Sequence, residues 1–195
     1  GNYDIGHIFS SLSASMSGNA GAIGAVCNDS NKGSGYSDWA CPEGGGFTNL
    51  VAHEMGHQVG ANHTFSMRTE GTEANVEPGS GTTIMSYAGI TGPDDVAAVA
   101  DDYYHYVSIK QGWAYLQSQA CHVDTAVENS VPTVTAIPDY TVPVKTPFVL
   151  VGDATDADAK DVLSYTWEQV DSGLVPSDVF GPDNTQGANF RSLAP

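Results

Sequence analysis

Basic residues are scarce in this chain. Lys and Arg number 6 against 23 Asp and Glu, a formal net charge of −17. A surface that acidic repels phosphate backbones and anionic lipid, which argues against nucleic acid or a charged membrane face as partner. Long apolar runs are also missing: nothing approaches the roughly eighteen consecutive apolar residues of a membrane-spanning helix. There is no initiator Met and no basic-then-apolar leader, so Gly1 reads as something other than the natural start. Cysteine is sparse and odd in number, with Cys27, Cys41 and Cys121 unable to pair completely. Cys27 could bridge to Cys41 across a Gly/Ser-rich loop, or to Cys121, and we expect one disulfide and an oxidising, extracellular setting. No internal repeat is visible.

With 41% hydrophobic residues, the 195-residue chain has enough apolar material for one domain plus part of another. "YDIGHIFSSLS" near the start mixes β-branched and aromatic residues and reads as a strand and its exit. Residues 17–46 are rich in Gly, Ser, Asn and Asp. They read as loop, with "AIGAVC" (22–27) the one short strand. From Thr48 the period changes: Leu50, Val51, Met55 and Val59 fall at helical spacing. This predicts a helix over 48–59 with Thr48 as N-cap and Gly60 as its stop. Residues 66–82 read as loop and 83–90 as a short apolar run with a turn. Residues 94–119 read as a second helical stretch, its main part starting at Asp101 or Asp102, with Tyr103, Tyr106, Val107, Trp113 and Leu116 as buried positions. After Asp124 the texture turns to β, like the opening strands of an immunoglobulin-like sandwich. At about 70 residues that part is shorter than the ~100 such a sandwich needs. The expected fold class is α+β: a catalytic-type domain over 1–124, then a partial all-β module over 131–195.

One stretch, "VAHEMGHQVGANH" (51–63), concentrates the chemistry. His53 and His57 are one helical turn apart on the same face, so both imidazoles reach one ion. Glu54 points away from that ion yet stays close enough to touch a water on it. Gly60 permits a left-handed turn, after which the chain can bring His63 to the same point. Three imidazoles leave zinc an open fourth position, the arrangement of a catalytic site. The pattern H-E-x-x-H-x-x-G-x-x-H fixes five positions, which chance supplies roughly once in millions of start points. A plain helix with surface histidines is a poor alternative. His7, His105 and His122 read as core or surface histidines. "GDATDADAKD" (152–161) has the oxygen density calcium takes but not EF-hand spacing, so a solvated Asp-rich turn is the plainer reading.

The segment 53–63 resembles the zinc signature of the metzincin metallopeptidases. Their second hallmark, a methionine turn beneath the metal, is matched by "TIMSY" at 83–87, with Met85 in that role. "YDIGHIFS", "VAHEMGHQVGANHTF", "GSGTTIMSYAGI" and "DDYYHYVSI" together look like the secreted bacterial reprolysin-like proteases, over about residues 1–122. Such proteases often carry a trailing immunoglobulin- or fibronectin-like module. Thr64 stands where animal reprolysins carry Asp. Tyr87 resembles the tyrosine of astacins and serralysins that can ligate zinc and support the transition state; a tyrosine packed under the site is the alternative. Metzincin domains also begin with more strands and a long helix than precede Tyr3 here, so the resemblance implies an N-terminally incomplete domain. The resemblance implies a secreted zinc endopeptidase acting on protein or peptide, with His53, His57 and His63 on zinc and a zinc-bound water activated by Glu54. The competing expectation is an adhesion or binding protein on a lapsed or truncated metzincin fold.

Overall fold

The computed structural model describes residues 2–12, 14–40 and 45–194. Strands β1 (His7–Ser10), β2 (Ser17–Asn19) and β3 (Gly35–Asp38) form a sheet in the order β1–β3–β2. β1 is parallel to β3, pairing His7 with Gly35, and β2 is antiparallel, pairing Ser17 with Asp38. β2 and β3 fall inside the region expected to be loop. Their sequences, SGN and GYSD, carry no apolar alternation, so pairing rather than pattern makes them strands.

Helix α1 (Gly45–Gln58) packs against β3 and β2. A polar seam joins helix to sheet: His7 Nδ1 meets Gln58 Oε1 at 2.8 Å, and His7 Nε2 meets Ser37 Oγ at 2.9 Å. Gln58 in turn donates to the Gly6 carbonyl at 3.0 Å. His7 is thus structural, as expected. The helix begins three residues before Thr48, which therefore lies within it and does not cap it. Within the helix, Gly46 lies against the Trp39 ring, where an added Cβ would come to 2.9 Å. The other end behaves as anticipated: Gly60 has φ +102°, its N–H bonds to His57 O, and Ala61 N–H bonds to Gly56 O, both at 2.9 Å. This pair is the Schellman stop.

"AIGAVC" is not a strand. It forms turns whose Gly24, Ala25 and Val26 amides donate to the carbonyls of His57 and Gln58 at 2.8–3.1 Å, satisfying the helix end.

The second helical stretch is shorter than expected. Gly92–Asp94 forms a 3-10 turn, and α2 runs only over Tyr106–Ser118, capped by His105, whose Nδ1 accepts from Val107 N–H at 3.1 Å. Asp95 draws the preceding segment into a loop by accepting from the amides of Gly89, Thr91 and Gly92. Further on, Asp101 N–H bonds to Thr82 O and Ile84 N–H to Tyr103 O. α2 buries Ser108 and Gly112, while Tyr106 and Trp113 are 54% and 65% exposed, reversing the expectation for those two. Gly112 lies in contact with Val59, so the helix presents its small residues to the end of α1. Cys27 is bonded to Cys121, with Cα atoms 6.0 Å apart, joining the end of α2 to the 22–27 turns. Cys41 lies outside the described residues.

The chain forms two units, Gly1–His122 with Glu168–Ala194, and Val123–Trp167. The sequence expectation ran 131–195 as one module, whereas residues 168–194 pack with the first unit. Val175 and Ala188 are fully buried there. Val175 N–H donates to Ser66 O, and Val175 O accepts from Gly79 N–H, both at 2.8 Å. The Val123–Trp167 unit contains the antiparallel pair β4 (Thr133–Val134) and β5 (Ala154–Thr155).

Candidate metal centre

Two imidazoles come from α1 and the third from the chain beyond its stop. His53 and His57 are one turn apart on the helix, and the Gly60 turn returns the backbone so that His63 faces them. Ring centroids lie 4.7 Å (His53–His57), 4.5 Å (His57–His63) and 5.2 Å (His53–His63) apart. One ligand atom from each falls within 4.8 Å of the others.

Each ring is oriented through its Nδ1. His53 donates to Ile84 O at 2.7 Å, His57 to Ala61 O at 2.7 Å, and His63 to Glu70 Oε2 at 2.9 Å. With Nδ1 donating, the neutral tautomer leaves Nε2 as a bare lone pair. His57 Nε2 and His63 Nε2 then face each other at 3.0 Å with no proton to share. A cation between them resolves that repulsion, so this donor set fits a metal ion. Three nitrogens and no thiolate suit zinc with a position left open.

Burial holds the rings neutral. It lowers His53 and His63 to about 3, with His57 adding to both shifts, and it lowers His57 as well. All three are free to ligate at neutral pH without losing a proton.

Glu54 is 8% exposed and lies beside this cluster, with its carboxyl against β2. Desolvation raises it to about 7, partly opposed by a hydrogen bond from the Ala20 amide. A Cβ built on Gly18 would lie 2.5 Å from Glu54 Oε1 and 2.7 Å from its Cγ, so only glycine leaves this carboxylate its place. His53 and Glu54 open onto a cleft of about 960 Å³. Ser17, Gly18 and Trp39 line it, together with Ile84, residues 86–90 and residues 98–102.

Met85 is fully buried in a cluster with Ala61 and Ile84. Its sulfur lies directly against α1 at Gly56, where a Cβ would overlap it. Thr64 N–H donates to Met85 O at 3.0 Å, tying the residue after His63 to this turn. Beneath it, the buried Glu77 carboxylate accepts from Thr82 N–H (2.9 Å), Thr83 N–H (3.2 Å), Thr82 Oγ1 (3.3 Å) and Thr83 Oγ1 (2.5 Å). Tyr87 stands over the histidines, its ring 4.5 Å from that of His63 and 5.7 Å from that of His53. Desolvation raises its hydroxyl.

His53, Glu54, His57, His63, Met85 and Tyr87 are thus brought together, while His7, His105 and His122 are elsewhere. In the Val123–Trp167 unit, Asp156, Asp158 and Asp161 bring carboxylate oxygens within 4.8 Å of one another. Asp156 and Asp158 accept from backbone amides at 2.8 and 2.6 Å, and beyond that proximity nothing there supports calcium. Sequence reasoning missed Glu70, Gly18 and Glu77. Glu70 lies in a turn-rich loop with Glu73 and Glu77, where no periodicity singles out the one that faces His63.

No curated protein and no solved structure matches the chain significantly. A family model does, that of the reprolysin-like metallo-peptidases of family M12B, over residues 1–116. The matched span is more than half of the 195 residues and includes the three histidines, Glu54, Met85 and Tyr87. The chain therefore belongs to the M12B reprolysin-like metallo-peptidases, which are zinc-dependent.

Proposed function

We propose that this chain is a secreted zinc endopeptidase in which Glu54 is the general base. The observation that carries the reading is the placement of Glu54: a desolvated carboxyl next to three neutral imidazoles, at the wall of an open cleft. Zinc, when held by His53, His57 and His63, supplies Lewis acidity toward a water and toward the scissile carbonyl. Glu54 takes one proton from the attacking water, whose oxygen bonds to the acyl carbon. The same carboxyl returns that proton to the departing amine, so the peptide bond breaks with one water consumed. Desolvation raises the affinity of this carboxyl for a proton, which suits both halves of that transfer. Tyr87, whose ring lies 4.5 Å from that of His63, would donate its hydroxyl to the developing oxyanion, and Met85, buried against α1, would carry no chemistry. Secretion is supported by the Cys27–Cys121 bond and the acidic surface. Residues 123–167 are read as a β-rich module lying in the sequence between two segments of the peptidase unit.

The test is zinc content by elemental analysis together with casein cleavage, with and without chelator. One zinc per chain and chelator-sensitive cleavage are expected. Glu54→Gln should keep the zinc and lose about 10²–10⁴-fold in rate. Undiminished cleavage by that variant would remove Glu54 from its role. Zinc without cleavage in the wild type would favour the lapsed binding protein instead.

A further inference from the structure

His63 is held differently from its two partners. His53 and His57 donate to backbone carbonyls of residues 84 and 61, which are fixed by the turn at Met85 and by the helix stop. His63 donates to a side-chain carboxylate, Glu70 Oε2, at 2.9 Å. It is also the ring outside the helix, so no backbone repeat sets its direction. Glu70 is itself braced. Its N–H donates to Asn75 Oδ1 at 3.2 Å, and Asn75, 3% exposed, donates to Phe65 O at 2.5 Å. Arg68 lies 3.6 Å from Glu70 Oε1, its guanidinium stacked 5.0 Å from the Phe65 ring. The loop from His63 to Asn75 thus closes on itself with the carboxylate aimed at Nδ1.

We infer that Glu70 is the positioning residue for the third zinc ligand: its carboxylate fixes the tautomer and direction of His63 and so sets how tightly this chain holds zinc. The physical reason has two parts. A donated Nδ1 proton commits Nε2 to the lone-pair form, and the negative charge behind the ring makes that lone pair a better donor to a cation. The inference rests on the metal-centre reading above and deepens it. Glu70 does not line the cleft, but its charge bears on Tyr87, which does, so the measurement that isolates its part is zinc retention and not turnover.

The experiment uses the full chain stripped of metal and titrated with zinc against a chromophoric chelator at neutral pH. Glu70→Ala should raise the zinc dissociation constant by about 10–100-fold. Glu70→Gln should raise it less, because the amide oxygen still accepts from Nδ1 while the charge is gone. Glu73→Gln, a neighbouring exposed glutamate of the same loop, should leave it unchanged. Cobalt(II) in place of zinc gives a second readout: its visible band should shift in the Glu70 variants and not in Glu73→Gln. Both Glu70 variants within about twofold of wild type would overturn the inference while leaving the metal centre standing. A wild-type chain that binds no zinc would sink the metal centre and this inference with it.

Discussion

A single methyl group separates Gly18 from Ala, and that volume is already occupied by Glu54 and, at 2.8 Å, by Leu50 Cδ1. Gly18→Ala therefore forces the carboxyl off its place or spreads β2 from α1. Overpacking of this kind costs about 1–3 kcal/mol. If that cost falls on the position of Glu54, kcat drops by about 5–160-fold, since 1.36 kcal/mol is a tenfold change. Zinc content should stay at the wild-type level and KM should move little. The coupling is the decisive readout: in a Glu54→Asp background the shorter side chain withdraws from Gly18, so Gly18→Ala should there cost much less than in wild type. Equal costs in both backgrounds would mean that the glycine serves the strand alone. Residues of this sort explain what the sequence left unread. His53, Glu54, His57 and His63 are legible because a helix repeat and one glycine relate them. Gly18 and Glu70 are related to the site only by the way a sheet edge and a loop close on it.

At the scale of elements, the same division holds. α1 was legible from its apolar spacing and its stop, whereas β2 and β3 were hidden because polar three- and four-residue strands bear no alternating pattern. The composition of residues 95–105 is compatible with helix and hides the true start of α2, yet Asp95 and the pairing of 101–103 with 82–84 hold them in another path. The turn bearing Met85 packs in an apolar cluster with Ala61 and Ile84, and a carboxylate holds the residues just before it. Glu77, 1% exposed, accepts from two backbone amides and two hydroxyls of Thr82 and Thr83, which are buried with it. Glu77→Ala leaves those amides buried without acceptors, each costing about 1–3 kcal/mol. Urea unfolding of the variant should show a loss of roughly 3 kcal/mol or more. Glu77→Gln, which keeps one carbonyl oxygen, should lose less. A loss below about 0.5 kcal/mol for the alanine variant would mean that the turn holds its shape without the carboxylate.

Over the whole molecule, the family match and the folded unit do not end together. The match stops at residue 116, but the unit that carries His53, His57 and His63 also takes in Glu168–Ala194. That returning segment is nearly without regular structure, which is why sequence texture assigned it to the β part. Its place is decided by a few specific attachments: Val175 bonds to Ser66 and Gly79, Gly173 N–H to Asn75 O, Ser177 N–H to Asp94, and Ser192 O accepts from Thr82. Asn75 and Thr82 are the same residues that brace Glu70 and meet Glu77, so the segment supports the two loops that shape the metal centre. Val175, 0% exposed, is its anchor. Val175→Asp would bury a carboxylate where Val175 is fully buried and should destabilise the first unit by about 3 kcal/mol or more. Because Asn75 and Thr82 would lose their partners with it, zinc affinity should weaken in the same variant. If the substitution changed unfolding by less than about 0.5 kcal/mol, the segment would be a loosely attached strap, and the supports of Glu70 and Glu77 would have to be sought within residues 2–122 alone.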